Sequence, residues 1–161
     1  MNQEFSKTIR AIISKYQPLL ESYPEEELNH KPLIDKWSKK EILGHLIDSA
    51  YNNHQRFMRA EKKGDLMFDG YDQVEWVTKN NYQERKSREI IGLFVSVNLH
   101  LAHLISTLKD EDLYQSTTDH NFNQIGMRPI QKGTSSSLAY LIEDYIIHLE
   151  HHLKQIVPQN I

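Results

Sequence analysis

His148 and His152 stand four residues apart in the last apolar-periodic stretch of the chain, Ser135 to Ile156. On a helix that spacing puts both imidazoles on one side, close enough to bind one metal ion. They fall at the margin of the apolar stripe, with Leu141, Asp144, Tyr145 and Gln155 on or near the same side. Such a margin can face an internal cleft. Histidine pairs at this spacing also serve as packed or surface side chains, so a third donor matters. His45 supplies a candidate, about a hundred residues earlier on another predicted helix. His151 is rotated by roughly 60° from His148, away from the stripe, and is a less natural ligand.

These residues need helices to bring them together, and the apolar periodicity predicts four long ones. The first runs from about Gln3 to Ser22 on Phe5, Ile9, Ile12, Ile13, Tyr16 and Leu20, with Pro18 expected to kink it or end it near Gln17. Tyr23 to Lys36 reads as an acidic, turn-like connector. Ser38 opens the second helix with Glu41 in a capping box, Trp37 placed before it as a hydrophobic staple on Ile42, and Gly64 as its terminator. Its apolar band contains Leu43, Leu46, Ile47, Ala50, His54, Phe57 and Met58. His45 lies off that band, sharing a side with Ser49, Asn52 and Arg56. That suits a partly solvated face or one wall of a polar cleft.

A short helix is expected over Gln73 to Lys79, and a third long one from near Gln83 to near Leu108, with Asn98 inside its apolar face and His100 and His103 opposite. Lys109 to Thr134 has no periodicity and is long for a connector, which suggests a functional flap, a dimer element or an irregular hairpin. His120, within it, can approach the mouth of a site. Leu138, Leu141, Ile142, Tyr145, Leu149, Leu153 and Ile156 then form the stripe of the fourth long helix. Together these elements predict an all-α four-helix bundle with long inter-helix connections, a single domain over 1–161.

Composition narrows the function. The net charge of −3 gives no footprint for nucleic acid. There is no cysteine, so thiolate metal sites, disulfides and a cysteine nucleophile are excluded. We read no signal-like segment and no uncharged run of membrane-spanning length, and expect a cytoplasmic protein with no membrane partner.

Two stretches carry a family resemblance. Trp37-Ser38-Lys39-Lys40-Glu41-Ile42-Leu43-Gly44-His45-Leu46-Ile47-Asp48-Ser49-Ala50 and Tyr145-Ile146-Ile147-His148-Leu149-Glu150-His151-His152-Leu153-Lys154-Gln155-Ile156 resemble the DinB/YfiT-like family of small metal-binding four-helix-bundle proteins. The likeness covers nearly the whole chain in helix length and order. It implies His45, His148 and His152 as ligands of one divalent ion, with zinc or nickel best suited to borderline nitrogen donors. It also implies a small-molecule substrate and one of two chemistries: hydrolysis, or transfer of a low-molecular-weight thiol to an electrophile. A non-enzymatic metal-binding or dimeric stress-related protein is the alternative, and a homodimer is expected because related bundles associate. Around such a centre, Asp48 and Asp144 are candidates for proton transfer or for orienting a ligand ring, and Arg56, Asn98 and Tyr145 for orienting substrate. Helix-surface or packing roles are the plainer alternatives for all five.

Overall fold

The computed structural model describes residues 2–158, and among them four helices are long: α1 (Asn2–Glu21), α3 (Lys39–Lys63), α5 (Ser87–Thr107) and α8 (Leu138–Ile156). Shorter helices fill the connections: α2 (Glu25–Asn29), α4 (Gln73–Asn80), α6 (Asp110–Tyr114) and α7 (Phe122–Ile125). No strand forms among the described residues beyond two isolated bridges, Leu66 to His120 and Thr117 to Ser136. The expected all-α four-helix bundle is what the chain adopts.

The long helices do not pack in chain order. α1 packs on α5 and α8, and α3 packs on the same two. Around the bundle the order is therefore α1, α5, α3, α8, with α1 diagonal to α3. A simple up-and-down bundle would set each helix beside the next. The crossed arrangement places α3 against α8, the two helices that carry the candidate ligands.

Local chemistry explains the helix ends. The Ser38 hydroxyl accepts the Glu41 N–H at 3.1 Å while the Glu41 carboxylate accepts the Ser38 N–H at 2.8 Å, closing the capping box. Gly64 ends α3 in the left-handed region, at φ 69°. The third long helix starts at Ser87 rather than near Gln83, because its N-terminal donors are met from elsewhere. Glu25 accepts the Ser87 N–H at 3.0 Å, and buried Lys40 binds the same carboxylate and the Arg85 carbonyl. The Lys40 ammonium holds Glu25 below the usual carboxylate range. One buried lysine thus ties α2, α3 and the start of α5 together. Residues 82–84 form a 3₁₀ turn instead.

Other expectations are corrected in the same way. α1 continues through Pro18 to Glu21, so the proline neither ends the helix at Gln17 nor separates its last turn. The connector from Tyr23 to Lys36 contains α2. Met58 is 45% exposed and does not belong to the core band of α3. Ile90 to Leu108 carries no Asp, Glu, Lys or Arg, so α5, contrary to the reading above, is long and apolar enough to cross a membrane by length and composition. In the fold it lies between α1 and α3, with Ile90, Phe94, Leu101 and Ile105 buried in the common core.

Gly44 is a packing requirement. A Cβ there would stand 2.1 Å from a ring carbon of Tyr82, whose hydroxyl donates to Asp48 one turn along α3 at 2.7 Å. An open helix site would gain about 1 kcal/mol from Gly→Ala. Here Gly44→Ala is expected to cost about 1–3 kcal/mol instead, by overpacking. Urea denaturation checks the sign, and a stabilised variant would mean that Tyr82 does not dock on this face.

Candidate metal centre

His45 comes from the second turn of α3 and His148 and His152 from consecutive turns of α8. Their rings meet nearly at right angles to one another, with centroids 4.6 to 5.0 Å apart and interplanar angles of 75° to 80°. One nitrogen from each ring lies within 4.8 Å of the other two, and Nε2 of His45 is 3.0 Å from Nε2 of His148. Two nitrogens bound at about 2.0–2.1 Å to a common ion would be about 3.3 Å apart in tetrahedral geometry and about 2.9 Å apart in octahedral geometry. The observed spacing fits an ion and leaves its coordination number open.

The outer ring nitrogens decide which lone pairs are free. His152 Nδ1 lies 2.8 Å from Oε1 of Gln155, an acceptor, so Nδ1 carries the proton and Nε2 offers its lone pair. Nδ1 of His148 lies 3.5 Å from the Ser49 hydroxyl, which Asn53 also contacts. Nδ1 of His45 is buried without a hydrogen-bond partner, and the ring lies against Trp37 at a centroid distance of 5.2 Å. Burial, with the neighbouring histidine charges, pushes His148 down to about 3 and His45 down to about 4. His152 is lowered for the same first reason, against a raising contact from Gln155. The cluster is therefore neutral at physiological pH, the state a metal requires of imidazole.

The three histidines line a cleft of about 370 Å³, walled also by Ser49, Arg56, Tyr71, Tyr145 and residues 124–127. Part of the long polar segment thus does line the site. Tyr71, which nothing in its sequence context singled out, interacts with the Ser49 and Arg56 side chains, and burial pushes its hydroxyl up to about 12. It stays protonated and can only donate or accept a hydrogen bond.

The remaining candidates divide. Asp144 lines the cleft at 5% exposure, but its carboxylate accepts the Met127 and Arg128 backbone N–H groups at 2.8 Å each and Nε of Arg128 at 3.3 Å. It anchors the 126–128 segment and makes no bond to the His148 ring. Asp48 lies outside the cleft, accepting from Asn80 and Tyr82; burial raises its carboxyl, against those two bonds. Asn98 is fully buried away from the cleft, where its carbonyl oxygen accepts the Tyr145 hydroxyl. Tyr145 borders the cleft, with its hydroxyl committed to Asn98. Arg56 lines the cleft. His120 does not reach it. That ring donates from Nε2 to the Thr134 carbonyl at 2.7 Å and accepts the Phe122 N–H, bracing the long connection. His54 is half-buried and stacked on exposed His100.

Two outcomes test the centre. His148→Ala is expected to reduce bound zinc from about one ion per chain to none while helicity is retained, since packing rather than the ion holds the bundle; metal analysis beside circular dichroism reads both, and collapse of helicity would contradict it. Second, with two of the three ligands already neutral at pH 6, zinc affinity should fall less than about fourfold between pH 7.5 and 6, whereas three imidazoles titrating near 6.5 would lose about fiftyfold. Competition with a chromophoric chelator measures the difference.

Comparison with known proteins finds the same fold. The structure of YfiT from Bacillus subtilis, described as a probable metal-dependent hydrolase with an unusual four-helix bundle topology, superposes with a TM-score of 0.75 at 17% identity, over 96% of this chain and 83% of that one. No curated protein matches the sequence. The sequence profile of the DinB superfamily matches residues 8–156, nearly the whole length. The bundle that sets His45 against His148 and His152 thus has its family: the chain belongs to the DinB superfamily.

Proposed function

We propose that the chain is a metal-dependent enzyme acting on a small molecule in the 370 Å³ cleft, by hydrolysis or by transfer to a thiol sulfur. The observation that carries this reading is the convergence of three neutral imidazoles on the wall of a cleft large enough for a substrate. Three protein ligands leave coordination positions open, the arrangement of catalytic rather than structural sites. A divalent ion there, zinc or nickel by the softness of its nitrogen donors, supplies Lewis acidity that makes water or a thiol nucleophilic near neutral pH.

The protein's own groups do the rest. Gln155 holds the His152 ring in its ligating tautomer, and the Ser49 hydroxyl stands behind His148. Asp144 fixes the 126–128 segment as a wall of the cleft. Trp37 covers the His45 ring.

Each chemistry has support. Hydrolysis is favoured by the description of YfiT, whose fold this chain shares. Thiol transfer is favoured by the cleft itself, whose carboxylate, Asp144, is occupied by N–H donors and makes a poor general base. A thiol, with its lower pKa, needs less help than water to lose its proton. The chain has no cysteine of its own, so the thiol would come from a cosubstrate.

The deciding experiment is a reaction screen of zinc- and nickel-loaded protein. Small thiols are paired with electrophiles, beside thiol-free ester and amide substrates. Turnover is expected to require the ion and to vanish in His148→Ala. Activity confined to thiol-containing reactions selects transfer, and turnover without thiol selects hydrolysis. A stoichiometrically loaded protein inert across the panel would overturn the enzymatic reading in favour of a metal-binding one.

A further inference from the structure

Arg56 is a buried cation. It is 7% exposed on the cleft side of α3. One terminal nitrogen donates to the Asp69 carbonyl at 3.2 Å, and its Nε is buried with no hydrogen-bond partner. Among the described residues no carboxylate lies within ion-pair distance of it. The acid whose charge acts on Arg56, Asp144, is engaged by two backbone N–H groups and Arg128. Burial accordingly lowers the Arg56 pKa, against the raising influence of Tyr71 and Asp144.

Packing alone does not account for this. A guanidinium presents five donors, and burying one with Nε–H unmet and no carboxylate beside it is costly. Pinning the Asp69 carbonyl would need only a neutral amide. The planar guanidinium's two terminal nitrogens match the two oxygens of a carboxylate.

We infer that the cleft takes a small molecule bearing one carboxylate, held by the terminal N–H groups of Arg56, with its reacting end at the three histidines. This rests on the cleft being the substrate site. The charge balance selects a monoanion. Asp144 already places one negative group in the cleft wall, which repels a dianion such as phosphate more strongly than a single carboxylate. Length is constrained too. Arg56 and His45 are eleven residues apart on one helix, a rise of about 16 Å before side-chain reach is counted. The carboxylate and the reacting atom are therefore separated by several bonds.

The test is an NMR titration of the full chain stripped of metal, so that no carboxylate can report by ligating an ion. It follows the arginine Nε–H resonances, with that of Arg56 identified by its loss in Arg56→Lys. The probes are butyrate, the uncharged isostere butyramide, and inorganic phosphate. Butyrate is expected to shift the Arg56 signal saturably, and both butyramide and the Arg56→Gln variant should bind at least about tenfold more weakly. An equal response to butyrate and butyramide, no response, or tighter binding of phosphate would overturn the inference. Should Arg56→Gln fail to fold, butyrate against butyramide on the natural chain decides alone. A protein that turns over a substrate yet ignores butyrate would keep the enzymatic reading and lose this one.

Discussion

Imidazoles held with ring centroids under 5.1 Å apart can share that space only while uncharged. Protonating any one would bury a cation beside two rings that then resist their own protonation. The fold enforces the neutral state by removing water from His45 and His148, and Gln155 sets the proton of His152 on the outer nitrogen. Everything useful about the site follows from this. Neutral rings with inward lone pairs are ligands, whereas the same rings in water would be partly cationic near neutrality.

That crowding is possible because the bundle is not wound in chain order. Placing α1 diagonal to α3 sets α3 against α8, so histidines distant in sequence face one another across a single helix pair. The crossed order needs long connections, and the connections are put to use. Lys40 and Glu25 fasten the first to the start of α5. Tyr82 fastens the second to α3 over Gly44. Asp144 and His120 fasten the third, whose residues 124–127 then wall the cleft. Stability here resides in the bundle and its ties, which leaves the three imidazoles available for chemistry.

The readable parts of the sequence were those governed by local rules. The capping box at Ser38, the terminator at Gly64 and the shared helix side of His148 and His152 depend on residues three or four apart, and each appears in the structure as the spacing dictates. What escaped was set by partners far along the chain. Asp144 looks like a ligand-orienting carboxylate from its own helix, yet its partners are backbone amides sixteen and seventeen residues upstream in a segment without periodicity. Asn98 and Tyr145 satisfy one another across the bundle, so neither helix alone reveals why a polar residue sits in its apolar face. Tyr71 had no pattern to mark it. The start of α5 was misplaced because the group that caps it, Glu25, belongs to a different element.

The chain has two tryptophans, and both stand at the edges of this site. Trp37 lies on the His45 ring, and Trp76 lies 4.9 Å from Tyr71, which walls the cleft. No other indole dilutes them. The tryptophan emission of the unlabelled protein therefore arises from two indoles, one against the His45 ring and one against a wall of the cleft, and serves as a built-in gauge of what enters it.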